Sequence, residues 1–195
     1  MQTTTLSFNN MHKHGELFPN MLRARHNTFI GRKNWDLPEA DGMEFDQYDT
    51  PASRWIAVHE FGRVLAGVRL TPTTNRVGIY TYMIRDAQRG LLDTIPKDLM
   101  WDTAPVASHV WESSRVFVTQ DVPSKLRLRV QMALIGEMVS SARELGASTV
   151  LGMIPEHSPR LARRTGIDCR PCGPVMDIEG SRSVCVNINL ATKLH

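Results

Sequence analysis

Three carboxylates, Glu44, Asp46 and Asp49, lie within six consecutive positions of Gly42-Met43-Glu44-Phe45-Asp46-Gln47-Tyr48-Asp49, and the chain offers Arg25, Arg69 and Arg115 as partners. Two readings are open. On a solvated loop such groups form surface ion pairs of little energetic consequence. Taken into the interior they require full pairing, and arginine forks then fix their geometry bidentately. A separate acid, Glu112, stands in the run His109 to Val118 among apolar and β-branched residues and is followed by Ser113, Ser114 and Arg115. It reads either as the structural partner of an arginine or as a general base. Burial is expected to raise its pKa.

These residues need elements to hold them. From Glu16 to Lys33, Leu17, Met21, Leu22, Arg25, Phe29 and Arg32 mark a helical face, with Pro19 near its start. Ser53 to His59 and Val64 to Leu70 read as two antiparallel strands around the turn signal Phe61-Gly62-Arg63. His109 to Val118 reads as a central strand carrying charges in mid-course. Pro123 and Ser124 open the clearest helix, in which Leu126, Val130, Leu134, Met138 and Ala142 recur every four residues until Gly146, and this stripe is expected to face the sheet. Ser148 to Ile154 follows as a buried strand, Ser158 to Arg164 as a short basic helix ending at Gly166, and Ser183 to Leu190 as a last strand. Alternation of strands and helices indicates an α/β layer architecture.

At 195 residues and 22.0 kDa, one domain over residues 1–195 is expected. Charged residues at 22% and hydrophobic ones at 42% fit a folded globular chain rather than a disordered one. The net charge of +3 does not by itself imply nucleic-acid binding. No run is long and apolar enough for a membrane helix, and Met1 to Asn10 lacks the pattern of a signal peptide, so a cytoplasmic location is expected. The odd set Cys169, Cys172 and Cys185 argues against a disulfide framework. Cys169-Arg-Pro-Cys172 invites a zinc or redox reading, but only Cys185 and His157 are near enough in sequence to complete a site; packing is the expectation, and no metal.

In order and spacing, Arg25, Phe29, Trp35, Asp46, Asp49, Arg69, Glu112 and Arg115 resemble the signature of the acyl-homoserine-lactone synthases, the autoinducer synthases of bacterial quorum sensing. The resemblance runs from about Met21 to Gly166. It implies a fold like that of the N-acetyltransferases (GNAT-like): a three-layer α/β sandwich with a mixed twisted sheet, helices on both faces and a central cleft. It also implies an acyltransferase with two substrates, S-adenosylmethionine as amine donor and an acyl group carried by acyl carrier protein, giving the lactone and methylthioadenosine. S-adenosylmethionine is then a substrate, and no cofactor is expected.

The resemblance assigns catalytic roles to Glu112, Arg115, Asp46, Asp49 and Arg69. Glu112 is the candidate base for the amine; Asp46 and Asp49 hold the sulfonium or amine, or brace Arg69 and Arg115. Arg25, Phe29 and Trp35 belong to the segment that in the family folds over the S-adenosylmethionine pocket, where aromatic faces pack on adenine or attract the sulfonium. The family usually has an aromatic residue directly after the signature arginine, whereas this chain has Val116 and then Phe117, which leaves the acyl-pocket shape open. A threonine on the strand corresponding to 149–154 often accompanies a 3-oxo acyl group in the family. Counting back from Arg164-Thr165-Gly166 puts Gly152 there, so an acyl chain without a 3-oxo group is expected. Beyond Gly166 no family motif is found, and that part is expected only to complete the sheet.

The chief rival is an acyl-coenzyme A N-acyltransferase of the same fold. It should carry a glycine-bearing pyrophosphate loop before the long helix, but Thr119 to Ser124 contains no glycine. The donor, carrier protein or acyl-coenzyme A, stays open. A non-enzymatic nucleic-acid module would draw on Arg160, Arg163 and Arg164 and on Lys125, Arg127 and Arg129. No nucleic-acid motif accompanies them, and an acidic carrier protein docking at Arg160, Arg163 and Arg164 explains that charge more economically.

Overall fold

The computed structural model describes residues 1–164 and 166–191, with the side chains of Leu161 and Arg164 outside that description. In chain order the elements are strand β1 (Gln2–Leu6), helix α1 (Leu17–His26), a π-helical stretch (Asn27–Arg32), the short strands β2 (Glu39–Ala40) and β3 (Met43–Glu44), and strands β4 (Arg54–Glu60) and β5 (Arg63–Pro72). Then come α2 (Met83–Gln88), β6 (Val110–Val118), α3 (Ser124–Glu144), β7 (Thr149–Pro155), α4 (Ser158–Arg164), β8 (Asp168–Ile178) and β9 (Ser181–Asn189). Seven strands make one mixed sheet in the order β1-β4-β5-β6-β7-β9-β8, with β6 in the middle as expected. β6 and β7 run parallel, which requires the crossover that α3 supplies. No helix among the described residues is long and apolar enough to cross a membrane.

Two compact units divide the chain: Met1–Leu70 with Arg115–Ser141, and Thr71–Ser114 with Ala142–His195. In the first unit β1 pairs antiparallel with β4, and β4 with β5, from Arg54 opposite Leu70 to Glu60 opposite Arg63. Its core gathers Leu6, Leu17, Met21, Phe29, Trp55, Ala57, Val64 and Phe117. Burial of each large apolar side chain here contributes roughly 1.5–3 kcal/mol. Gly67 on β5 makes the packing possible, because a Cβ there would sit 2.8 Å from both Met21 Cε and Phe117 Cε1.

Two departures from the sequence reading occur in this unit. The helix expected to run to Lys33 winds as α only to His26 and continues as a π-helical stretch that buries Thr28 and Phe29. The apolar stripe of α3 is buried at Val130, Leu134, Met138 and Ala142, but Leu126 is 41% exposed. A four-residue repeat over-rotates by about 40° per step on a helix of 3.6 residues per turn, so its first member drifts off the face. Val122, just ahead of α3, is buried. Thr3 and Thr5 of β1 donate hydrogen bonds to Glu137 of α3.

In the second unit β9 pairs antiparallel with both β7 and β8, around a core of Tyr82, Ile84, Leu99, Ala104, Val110, Leu151 and Cys185. Strand β8 completes the sheet edge, as expected of the chain beyond Gly166. Neither β1 nor α2 is visible in the sequence pattern: β1 is largely polar, and α2 has only six residues.

Candidate functional site

The buried alternative holds for the carboxylate cluster. Arg25 comes from the end of α1, Glu44 from β3, Asp46 and Asp49 from the turns after β3, Arg69 from β5 and Arg115 from β6. Arg25 Nε donates to Glu44 Oε2 at 2.5 Å, while its Nη1 and Nη2 fork onto Asp49 at 2.7 and 2.9 Å. Arg69 forks onto Asp46 at 2.5 and 3.2 Å and meets Asp49 at 3.0 Å. Arg115 reaches Glu44 at 3.1 Å and Asp46 at 2.9 Å. The six groups therefore close into a ring, Arg25-Glu44-Arg115-Asp46-Arg69-Asp49, in which positive and negative charges alternate and each is paired twice.

That closure explains how six charges tolerate near-complete exclusion from water. Each buried ion costs several kcal/mol in lost hydration, which only full pairing offsets. Three neutral donors add to it: Trp55 Nε1 and the Asp46 backbone N–H donate to Asp49 at 2.8 and 2.9 Å, and the Tyr48 N–H donates to Asp46 at 2.9 Å. Burial alone would raise the pKa of Asp46, but Arg69 and Arg115 outweigh it and hold it below the usual carboxylate range. Asp49 is likewise pushed up by burial and pulled well below that range by Arg69 and Arg25. For Arg69, burial works against the charge, but Asp46 and Asp49 raise the pKa above the ordinary guanidinium value.

Beside the ring stands an aromatic stack. Phe29 lies on Trp35 with centroids 5.2 Å apart and planes 17° from parallel, and Phe117 meets Phe29 edge-on at 6.0 Å. Arg115 Cζ is 5.6 Å from the Phe29 centroid, and Lys33 Nζ lies 4.3 Å from that of Trp35. The stack thus already faces cations. Arg115 has φ +53°, a left-handed backbone that costs a non-glycine residue on the order of 1–3 kcal/mol and persists only where its surroundings enforce it. Its two ion pairs do so. Phe117 shares the Phe29 contact with Arg115, and Val116 between them is half-exposed.

In the second unit Glu112 is fully buried, and its carboxylate accepts the N–H groups of Met83 at 3.1 Å and Ile84 at 2.7 Å. It therefore caps α2 in the manner favoured at helix N-termini, a partner that the arginine alternative did not anticipate. Tyr82 donates its hydroxyl to the Pro105 carbonyl at 2.5 Å; burial, then the Glu112 charge, pushes its pKa upward. Ser113 lies opposite Gly152 in the parallel β6–β7 pairing and donates to the Leu151 carbonyl at 3.1 Å. A Cβ at Gly152 would meet Ser113 Oγ at 2.5 Å.

Arg160 and Arg163 are exposed on α4, and the Arg164 side chain lies outside the described residues. Cys169 and Cys185 are buried and Cys172 is half-buried; burial pushes the Cys169 thiol up to about 11. No group of three or more His, Cys, Asp or Glu side chains able to hold a metal occurs among the described residues.

The sequence reading placed Glu44 in the carboxylate cluster but gave it no site role; the structure makes it a full member of the ring. The signal was present in the spacing of the three acids, but nothing in the sequence says which arginine each acid meets.

The mixed α/β fold is shared with acyltransferases: an acyl-coenzyme A N-acyltransferase from Pseudomonas aeruginosa superposes with a TM-score of 0.60 at 13% identity, over 95% of this chain and 97% of that one. The chain is an acyltransferase-type enzyme. The sequence profile of the autoinducer synthases matches residues 8–190, and the chain belongs to that family. An acyl-homoserine-lactone synthase of Ralstonia solanacearum is 31% identical over 175 residues, covering 87% of this chain and 80% of the relative. The structure of TofI in a ternary complex with an inhibitor and MTA superposes with a TM-score of 0.76 at 25% identity, over 97% and 92% of the two chains. The coenzyme A-dependent acyl-homoserine lactone synthase BjaI, solved with SAM and isopentyl-CoA, gives 0.75 at 21%, over 95% and 82%.

Proposed function

We propose that this synthase acylates the α-amine of S-adenosylmethionine and closes the homoserine lactone, with acyl carrier protein as donor. The observation that carries the reading is the closed Arg25-Glu44-Arg115-Asp46-Arg69-Asp49 ring beside the Phe29-Trp35-Phe117 stack. The match over residues 8–190 supports one synthase domain across the chain. The reading places the enzyme in the cytoplasm, where both substrates are made.

In the first step the deprotonated amine attacks the thioester carbonyl; a C–N bond forms, the C–S bond breaks and the carrier thiol leaves. Glu112, directly or through a water, accepts the amine proton. Its two backbone donors hold the carboxylate in one orientation, which a base acting at a fixed point requires. In the second step a carboxylate oxygen of the methionyl moiety attacks the γ-carbon; the C–O bond forms, the Cγ–S bond of the sulfonium breaks with its electron pair going to sulfur, and neutral methylthioadenosine leaves. That TofI was crystallised with MTA supports this product.

The ring keeps Asp46 and Asp49 anionic, so they act as fixed negative charges that attract an amine or sulfonium and position Arg69 and Arg115, rather than as proton carriers. Trp35, only partly buried and backed by the stacked Phe29, supplies a flat face for the adenine or the cation. Gly152 opposite Ser113 favours an acyl chain without a 3-oxo group. Arg160, Arg163 and Arg164 are proposed to steer the acidic carrier.

Acyl-coenzyme A is the second reading for the donor, favoured by the likeness to BjaI. The test incubates the purified protein with S-adenosylmethionine and chain-matched acyl carrier or acyl-coenzyme A, and measures lactone and methylthioadenosine by mass spectrometry. Lactone from the carrier at the higher kcat/KM is the expected result; no lactone with either donor overturns the function, and lactone from coenzyme A alone overturns the carrier.

A further inference from the structure

Along α3 the residues Lys125, Leu128, Arg129 and Met132 recur at i, i+3, i+4 and i+7 and so share one face, opposite the buried Val130, Leu134 and Met138. Leu128 is 61% exposed and Met132 39%. From Ser124 to Gly136 there is no carboxylate. Arg127 turns elsewhere and donates to the Thr119 carbonyl at 3.1 Å, whereas neither Lys125 nor Arg129 forms an ion pair among the described residues. An ordinary surface helix presents polar side chains outward. This one presents an apolar strip flanked by cations.

A second oddity lies in the same unit, in the β4–β5 turn. Phe61 and Gly62 have φ of +50° and +81°, the paired left-handed conformation for which Asn-Gly is the favoured sequence. Phenylalanine is poorly suited to that backbone, and its ring is fully exposed. Arg63 tethers the turn to the segment that leads into α3, its Nη2 lying 2.5 Å from Asp121 Oδ2, and the Thr119 N–H donates to the Leu65 carbonyl at 2.9 Å. A residue that serves neither the turn nor the core is explained by what it meets from outside.

We propose that the outward face of α3, together with Phe61, is a docking surface for the acyl carrier protein. Carboxylates on a helix of that acidic partner meet Lys125 and Arg129, and its apolar side chains cover Leu128, Met132 and Phe61. Charge decides the occupant: a second copy of this chain docked about a two-fold axis would set these cations against their own kind, whereas an acidic helix neutralises them. The inference rests on the carrier being the donor, and it adds a contact surface to the one proposed on α4.

The test compares wild type with Lys125→Glu/Arg129→Glu, Leu128→Gln/Met132→Gln and Phe61→Asn, using acyl carrier and, separately, acyl-pantetheine as donors. Charge reversal is expected to raise KM for the carrier by about tenfold or more and to flatten its salt dependence. The Leu128→Gln/Met132→Gln pair should also raise it. Phe61→Asn should raise it severalfold, of the order seen for exposed aromatic anchors, while Tm holds or rises because Asn suits the turn. KM for S-adenosylmethionine and kcat/KM with acyl-pantetheine should not move. The surface is overturned if the carrier KM stays within about twofold of wild type in all variants, a range that amounts to less than 0.5 kcal/mol. A shift in self-association by sedimentation with unaltered carrier kinetics overturns it in favour of a second copy. If wild type uses only coenzyme A donors, the carrier reading fails first and the docking surface with it.

Discussion

Glu112→Gln keeps one of the two acceptor oxygens that the Met83 and Ile84 amides use but cannot take a proton, so turnover should fall by about 10²–10⁴-fold, the usual contribution of a general base, while S-adenosylmethionine still binds. Stopped assays with isothermal titration of S-adenosylmethionine read both quantities, and wild-type kcat would remove Glu112 from the chemistry. At Gly152 the structure changes how a threonine test must be built, because the added Cβ would press on Ser113 Oγ at 2.5 Å. Gly152→Thr alone should lose activity with every donor. Combined with Ser113→Gly it should recover and shift preference towards 3-oxo donors, as competition assays analysed by mass spectrometry would show; no shift in the double variant would mean that the position does not read the substituent.

At the scale of elements, α1 owes its seat on the sheet to Gly67. Gly67→Ala would force a Cβ within 2.8 Å of Met21 Cε and the Phe117 ring, and overpacking of this kind costs about 1–3 kcal/mol. Since Phe117 packs on Phe29 and Phe29 on Trp35, the strain should reach the proposed S-adenosylmethionine faces. The expected outcome is a lower urea midpoint together with a higher KM for S-adenosylmethionine. An unchanged midpoint would show that Met21 yields without cost. The π-helical stretch after α1 carries Phe29 into the same stack.

For the whole molecule, the charge ring links stability to pH. The folded-state pKa values of Asp46 and Asp49 lie below the ordinary 3.8, so their contribution is fully present above that value and is lost as pH falls through it towards the folded values. Tm should therefore be flat in this respect from neutral pH to about 5 and fall steeply below about 4. Asp46→Asn leaves Arg69 and Arg115 short of one partner charge and should cost about 3–5 kcal/mol at pH 7, the penalty for breaking a buried pair, with a shallower acid limb. Scanning calorimetry across pH measures both, and parallel acid limbs for wild type and variant would rule out Asp46 as a source of the slope.

The α/β alternation, the β4–β5 hairpin, the central strand with its charges and the long helix are legible in the chain alone, because each is written locally as hydrophobic period or turn residues. The spacing of eight residues also carried the family resemblance. The chain's path in three dimensions settles that the carboxylates are interior, that Glu44 closes the ring between Arg25 and Arg115, and that Glu112 meets the amides of α2. These are pairings between residues up to 71 positions apart, and charge complementarity is satisfied equally well by many pairings until the chain's path selects one. The left-handed Arg115 was hidden for the same reason: its backbone is held by contacts with Glu44, Asp46 and Phe29, none of them local in sequence.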